Sequence, residues 1–248
     1  MSRFLLVTLA LVAALLVPPG TGASAAEEDD ARALLEQAIE LARTHAPETR
    51  YAYTRSLHLS TGDTRIDRVE RYDPARPAGE RWELLAIDGH PPDADDLADY
   101  DGDEDDGAAF RLYHEVIGDL DPDEVDLVEM TPERAVYRLR ETKTAFLDED
   151  KKAFAKYLDS RLVVDRRGPL PYVAELEIVA PESFRPSIAA RINRFKTRFR
   201  YAPHPVTGDI LPEEIVVELA LKALFLVSVE AETRIAFRDF VPVSGDSR

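Results

Sequence analysis

Apolar and polar side chains alternate along much of the chain, which is the pattern of β-strands that bury one face. Residues 226–240 show it most clearly, because apolar side chains or threonine occupy the odd positions from 227 to 237 and mostly charged side chains occupy the even ones. The same period of two recurs in residues 213–221 and 171–180. These segments predict half-buried strands of an antiparallel sheet.

The alternation also begins early in the chain. Residues 50–60 alternate, and Thr61-Gly62-Asp63 predicts a tight turn into a second strand at residues 64–72. A third strand is predicted at residues 81–87, with Trp82 and Leu84 on one face. The first two of these segments therefore form a hairpin, and the third follows after a loop rich in proline and glycine.

One segment changes the phase of its alternation. In residues 188–201 the apolar side chains hold even positions up to Ile192 and odd positions from Phe195 onwards. A β-bulge inserts one additional residue into a strand and so shifts its side chains to the other phase. The sequence therefore predicts a bulge near Asn193.

Two segments have helical spacing instead. Residues 31–46 carry an apolar stripe and end before Pro47, and residues 108–118 predict a shorter helical or irregular covering segment. The helices do not alternate with the strands, which disfavours a parallel sheet. The predicted fold class is α+β and mainly antiparallel β: a curved, open half-barrel sheet of about nine to eleven strands capped by helices, forming a single domain over residues 27–248.

The first 26 residues resemble a cleavable export signal. Arg3 precedes the apolar run 4–17, and Ala23-Ser24-Ala25 matches a small-residue cleavage site. The run is shorter than the roughly 20 residues of a membrane span, although an uncleaved N-terminal anchor remains the alternative. The chain has no cysteine, so it has neither a lipidation site after the signal nor a disulfide. We expect a periplasmic or otherwise exported bacterial protein, monomeric and without a membrane span in its mature part.

The charge excludes some partners. The formal net charge is −17, which repels nucleic acid and anionic membranes. Much of the acid lies in residues 93–107, which predict a mobile loop with one weak helical turn. Asp101, Asp103 and Asp105 have the spacing of a calcium loop, but Asp106 and Leu112 stand where that loop needs glycine and glutamate. Loose cation binding by this loop stays open.

No motif predicts catalysis. The five histidines are scattered, and no nucleophile, phosphate-binding or metal-ligand pattern occurs. Glu175 and Glu177 could face a cleft as an acid and base pair, but two glutamates at period two on a strand are typical of its solvated face. The sequence predicts a non-enzymatic protein without a cofactor or metal, with a hydrolase as the less favoured alternative.

A basic strip lies within this acidic chain. It is formed by Arg191, Arg194, Lys196, Arg198 and Arg200. Arg194 and Arg198 are its candidate docking residues for an anionic envelope partner. The alternative is cross-strand pairing with Glu213, Glu214 and Glu218 of the next strand, which stabilises a sheet without any partner.

The order of these elements resembles the LolA/LolB-like periplasmic superfamily, which includes carriers that sort outer-membrane lipoproteins. The resemblance begins with the export signal, the N-terminal helix and the first hairpin. It continues with Leu162-Val163-Val164-Asp165-Arg166-Arg167-Gly168, with Ile188-Ala189-Ala190-Arg191-Ile192, with the turn ending in Leu211-Pro212 and with a long terminal hairpin. It covers most of the mature chain, and its motifs are patterns of turns and strands rather than catalytic residues.

This resemblance implies an incomplete barrel whose concave face binds an acyl chain or another apolar ligand. The candidate lining residues are Trp82, Leu84, Leu176, Ile178, Phe195, Phe199, Val217 and Leu219. The expected function is an exported carrier or sensor of a lipid-like ligand or lipoprotein acyl chain. The alternative is that these residues form a core that only packs against the helices. The protein would then act as an envelope interaction module that binds no ligand.

Overall fold

The computed structural model describes residues 25–44, 50–100, 113–142, 154–223 and 227–243. Two α-helices, eleven strands and shorter helical turns make up the regular structure of these residues. The helices are α1 (Ala25–Thr44) and α2 (Ala94–Ala98). The strands are β1 (Arg50–Thr61), β2 (Thr64–Tyr72), β3 (Trp82–Ile87), β4 (Val125–Met130), β5 (Arg134–Leu139), β6 (Asp159–Asp165), β7 (Tyr172–Val179), β8 (Phe184–Ser187), β9 (Ala190–Pro203), β10 (Ile210–Ala223) and β11 (Val227–Val243).

All eleven strands form one open, antiparallel sheet, which confirms the predicted fold class. The order across the sheet is β3-β2-β1-β11-β10-β9-β7-β6-β5-β4, and the short β8 pairs with β9. Most neighbours are consecutive hairpins, as the turn signals predicted. The exceptions are the pairing of β7 with β9, which passes over the short β8, and the pairing of β1 with β11, which joins the N-terminal hairpin to the C-terminal one.

The predicted bulge in β9 is confirmed. Ala220 of β10 pairs with Arg194, but its neighbour Leu221 pairs with Ile192. Asn193 is therefore the additional residue. The shift keeps both Ile192 and Phe195 buried, which an unbroken alternation would not allow because these residues are three positions apart.

The helical segments differ from the predictions at their ends. Helix α1 begins at Ala25, earlier than the apolar stripe suggested, because Glu27 and Glu28 occupy its first turn and favour the positive end of the helix dipole. The helical segment predicted at 108–118 is described only from Tyr113, as a π-helical turn Tyr113–Ile117. In the acidic stretch, α2 supplies one short helix capped by Asp93.

Helix α1 lies on one face of the sheet, which we call the inner face, and packs against β7, β6 and β4. Its buried stripe is Ala31, Leu35, Ala38, Ile39 and Ala42. Two buried tyrosines fix the covering layer: the Tyr137 hydroxyl donates to the Ala31 carbonyl at 2.6 Å, and the Val173 amide donates to the Tyr113 hydroxyl at 3.2 Å. The main core thus lies under α1, at the β4 to β9 side of the sheet.

Within the described part of the chain, no helix is both long enough and apolar enough to span a bilayer.

Candidate functional site

The inner face carries apolar rows that run across the strands. In one row Leu176 pairs with Phe199, Phe199 with Ile215, Ile215 with Ile235, and Ile235 with Leu57. Paired residues of antiparallel strands project their side chains to the same face. The row therefore continues from β7, beneath α1, to β1 on the other side of the sheet.

Burial divides this face into two parts. Leu176 and Phe199, at the α1 end of the row, belong to the buried core. On β10, β11, β1 and β2 several apolar side chains of the inner face are only half-buried, and we call this part the inner wing. Its apolar members are Leu57, Leu59, Ile66, Ile215, Val217, Leu219, Ile235 and Phe237. The inner wing is a half-buried apolar surface that crosses four strands, and it is the candidate ligand-binding surface.

The predicted lining residues fall into three groups. Leu176, Ile178, Phe195 and Phe199 are all in the core cluster that includes α1, so packing accounts for their burial. Val217 and Leu219 lie on the inner wing, and Leu219 also packs against the core cluster. Trp82 and Leu84 lie on the edge strand β3, opposite Tyr72 and Glu70 of β2.

Five aromatic side chains meet at the end of the inner wing: Tyr53, Tyr72, Trp82, Phe237 and Phe240. Tyr53 is their hub, with ring centroids 5.1 Å from Tyr72, 5.8 Å from Trp82 and from Phe237, and 5.6 Å from Phe240. A bulge places both phenylalanines beside Tyr53, since Ala52 pairs with Val241 but Thr54 pairs with Arg238. Asp239 at this bulge has a positive φ of 58°.

A buried ion pair adjoins the aromatic cluster. Glu70 is 1% exposed, and its Oε2 accepts a hydrogen bond from the Arg55 Nε at 2.5 Å. The Arg55 guanidinium carbon lies 3.9 Å from the centre of the Trp82 ring, a distance at which the ring face attracts the cation. The sequence pattern did not predict this pair. Charged residues of β2 project to both faces of the strand, and the pattern does not show which of them is buried.

Two further polar groups lie beside the ion pair. The Tyr100 hydroxyl is buried and lies near Glu70. Burial raises the pKa of Tyr100 above its usual range, and the negative charge of Glu70 raises it further. Arg68 projects from the same face of β2, opposite Leu57. Its Nε is buried and has no hydrogen-bond partner among the described residues.

The opposite, outer face of the sheet is covered by ion pairs. Arg194 lies 3.8 Å from Glu218, Arg198 lies 3.2 Å from Glu214, and Arg200 lies 3.6 Å from Glu213. Lys196 pairs instead with Glu177 of β7 at 2.5 Å. The cross-strand pairing that the sequence offered as the alternative for the basic strip is therefore present at these positions. Partner docking by Arg194 and Arg198 stays a prediction.

The other candidates for chemistry are dispersed. Glu175 and Glu177 project to the outer face, opposite Arg200 and Arg198. His58 pairs with Asp67 at 2.6 Å, and the His114 ring lies 3.0 Å from the Ala42 carbonyl. Among the described residues, no group of three or more histidine, aspartate or glutamate side chains could hold a metal ion. The calcium-like stretch Asp101, Asp103 and Asp105 lies outside the described residues.

Two polar clefts lie away from the inner wing. One, of about 510 Å³, is lined by residues that include Asp165, Arg167, Tyr172 and Arg200. Hydrogen bonds from Arg167 hold the pKa of Asp165 below its usual value. The other, of about 330 Å³, lies beside the start of α1 and includes Arg32. Both clefts are lined by charges of both signs, and ion pairs lie in each: Arg167 with Asp165 in the first and Arg140 with Asp126 in the second.

Comparison with known proteins adds no assignment. No family model matches this chain, and no curated protein sequence matches it.

Proposed function

We propose that this protein is an exported, non-enzymatic carrier or sensor that binds a lipid-like apolar ligand on the inner wing. One observation carries the proposal. The apolar row of the inner face continues past the helix-covered core: Ile215 on β10 packs against this core, Ile235 and Leu57 follow on β11 and β1, and all three are half-buried. A long apolar ligand laid along such a surface gains about 25 cal/mol for each Å² of apolar area removed from water.

Two features support this proposal. The sheet is open and has α1 on one side of its inner face, which agrees with the architecture that the LolA/LolB-like resemblance implies. The N-terminal 26 residues have the composition of an export signal. A soluble carrier of a lipid-like ligand has its use in the bacterial envelope, where such ligands cross an aqueous space.

Native mass spectrometry of the protein purified from its own host tests the proposal. We expect a bound species of a few hundred daltons or more, and we expect the substitution Leu219→Asp to abolish it, because a charge on the inner wing opposes apolar binding. The matched control is Leu170→Asp, since Leu170 is 56% exposed in a loop. Repeated preparations with no bound species, and no uptake of added long-chain lipid, would contradict the proposal.

Trp82 provides a second measurement in solution. It is the single tryptophan of the chain and lies in the aromatic cluster at the end of the inner wing. Saturable changes in its fluorescence on titration with long-chain lipids are expected. A brominated acyl chain should quench it more strongly than the unbrominated chain.

Export is tested separately from binding. We expect the protein in the periplasmic or secreted fraction, with an N-terminus at Ala26 or Glu27. Recovery of the full-length chain in the membrane fraction would instead support the uncleaved anchor.

A further inference from the structure

The tip of the hairpin of β8 and β9 is an exposed apolar turn. Ser187 pairs with Ala190, so Ile188 and Ala189 form a two-residue turn between the strands. The Ile188 side chain is 91% exposed. Turns of this length favour glycine, asparagine and aspartate, and a side chain with this exposure does not pack in the core. Neither turn geometry nor packing therefore accounts for isoleucine at this position.

Three exposed cations lie close to this tip. Arg185 and Arg191 are each three residues from Ile188, on the two strands of the hairpin. Lys222 of β10 is the cross-strand partner of Arg191. Like charges directly opposite each other destabilise a sheet, so this pairing does not help to hold β9 and β10 together.

A fourth cation and an aromatic ring adjoin the base of the hairpin. The Tyr157 ring stacks on that of Phe184 in β8, with centroids 4.7 Å apart, and Tyr157 is 37% exposed. The Lys156 Nζ lies 5.0 Å from the centre of the Tyr157 ring. We call Ile188, Tyr157 and the four cations Lys156, Arg185, Arg191 and Lys222 the basic hairpin. A partly exposed tyrosine beside a cation is typical of residues at a membrane surface.

The cations of the basic hairpin outnumber the carboxylates near it. None of the four forms an ion pair within the described part of the chain, and Arg191 donates instead to the Ser183 hydroxyl at 2.6 Å. The adjacent Arg194, by contrast, pairs with Glu218 at 3.8 Å. Residues 154–159 and 180–194 contain one carboxylate each, Asp159 and Glu182. The basic hairpin is therefore a cationic patch on a chain whose formal net charge is −17.

We propose that the basic hairpin docks this protein on a bilayer that contains anionic phospholipid. Ile188 enters the apolar layer, where it leaves water, and the four cations lie at the level of the lipid phosphates, which attract them. A fluid bilayer can surround a protruding tip, whereas a stable protein interface typically buries about 800 Å² on each partner. The inference goes beyond the proposed function and does not rest on ligand binding by the inner wing.

The charge distribution also determines which end of the sheet approaches the bilayer. The excess negative charge of the rest of the chain is repelled by anionic lipid, so the hairpin end is the one that approaches. The apolar inner face reaches this end, since Leu219 pairs with Phe195 and Leu221 pairs with Ile192 beside the hairpin.

Flotation with lipid vesicles tests the docking. The probes are vesicles of phosphatidylcholine alone and vesicles of equal parts phosphatidylcholine and phosphatidylglycerol. We expect stronger binding to the mixed vesicles, and we expect it to weaken at high ionic strength because salt screens the attraction. All variants carry the same N-terminus, so any contribution of residues 1–26 is common to them.

A substitution at the tip tests the apolar contact. Ile188→Asp is expected to lower the affinity for mixed vesicles by about tenfold or more, because it removes the buried apolar side chain and adds a repelled charge. The matched control is Val206→Asp. Val206 is 85% exposed in the turn at the other end of β9, so this change should leave vesicle binding almost unaltered.

Substitutions of the cations test the electrostatic contact. Each cation removed from the basic hairpin should weaken binding by about fivefold. The test variant combines Arg185→Gln, Arg191→Gln and Lys222→Gln. Its control removes three exposed cations elsewhere on the sheet, and so changes the net charge equally: Arg76→Gln, Arg134→Gln and Arg238→Gln.

A fluorescent label reports whether the tip enters the apolar layer. The chain has no cysteine, so Ile188→Cys provides a single attachment site for an environment-sensitive NBD group. Mixed vesicles should shift its emission to shorter wavelength and increase its intensity. The same label at Val206→Cys should show neither change.

The outcomes separate this inference from the proposed function. Absence of binding to mixed vesicles, or unchanged binding in Ile188→Asp, would overturn membrane docking by the hairpin, while the bound ligand expected in native mass spectrometry is unaffected. Equal losses in the two triple variants would show that net charge, and not the hairpin, controls binding. Binding of polyglutamate without binding to mixed vesicles would overturn the bilayer and assign the hairpin to an acidic protein.

Discussion

Arg55 and Glu70 form an ion pair that is buried in a sheet whose other ion pairs lie mostly at its surface. The Arg55 side chain is 13% exposed and that of Glu70 is 2% exposed, and the guanidinium is also stacked on Trp82 at 3.9 Å. By contrast, Arg194 on the outer face is 58% exposed in its pair with Glu218. Breaking the buried pair should therefore destabilise the protein more than breaking an exposed pair.

Glu70→Gln is expected to lower the free energy of unfolding by about 3–5 kcal/mol, because it removes the negative charge that pairs with the mostly buried Arg55 guanidinium. Urea unfolding followed by Trp82 fluorescence measures the change. The control Glu232→Gln removes an exposed partner of Arg234, whose nearest atoms are 3.6 Å apart, and is expected to cost less than about 1 kcal/mol.

The double substitution Arg55→Met with Glu70→Met tests whether the loss of charge pairing causes the instability of Glu70→Gln. Replacing both charges with apolar groups of similar volume removes the unpaired charge, so most of the lost stability should return. A double variant as unstable as Glu70→Gln would show that packing, and not charge, sets the cost.

The stretches of regular alternation were predictable from the sequence. The hairpin of β1 and β2 follows from a period of two around a turn at Gly62, where φ is +58°. The bulge at Asn193 follows from a change of phase within one strand. These features are local, because each depends on the order of side chains along a single segment.

The buried charges could not be predicted in this way. Strand β2 reads Thr-Arg-Ile-Asp-Arg-Val-Glu-Arg-Tyr, and its charged residues point to both faces. Burial of Glu70 arises from Arg55, Trp82 and Tyr100, which come from three other segments of the chain. The division of the predicted lining residues has the same origin, since alternation identifies the inner face but not the part of it that α1 covers.

Helix α1 should make a large contribution to stability through Leu35, which is 1% exposed. Leu35→Ala is expected to lower the free energy of unfolding by about 2–5 kcal/mol, because it removes apolar contacts and leaves a cavity. Thermal or urea unfolding measures the loss. Leu97→Ala is the control, since Leu97 is 54% exposed on α2, and it should change stability by no more than about 0.5 kcal/mol.

Removing one ion pair from the outer face should lower the stability of the protein only slightly. Arg198→Gln removes the 3.2 Å pair with Glu214, but Arg234 also lies 3.3 Å from that carboxylate. Arg234, and Arg200 at 3.9 Å, continue to balance Glu214, so the loss should be less than about 1 kcal/mol. Arg198→Gln combined with Arg234→Gln should cost more than the sum of the two single changes, because only then does Glu214 lose both of these partners. Strict additivity in a double-mutant cycle would contradict this sharing.

The lowered pKa of Asp165 should make the stability of the protein depend on pH. Hydrogen bonds from Arg167, its backbone amide at 2.9 Å and its Nε at 3.0 Å, lower the pKa of Asp165 in the folded protein. The unfolded chain then binds the proton more tightly, so this carboxylate stabilises the fold fully above its unfolded pKa of about 3.9. The contribution is lost as the pH falls through the lower, folded pKa.

The stability difference between the unchanged protein and Asp165→Asn should therefore be constant from pH 7 to pH 5 and shrink below about pH 4. Urea unfolding at each pH measures it, with Asp63→Asn in the exposed turn as the control. A difference that grows as the pH falls would contradict the depressed pKa, because it would require the folded protein to hold the proton more tightly than the unfolded chain.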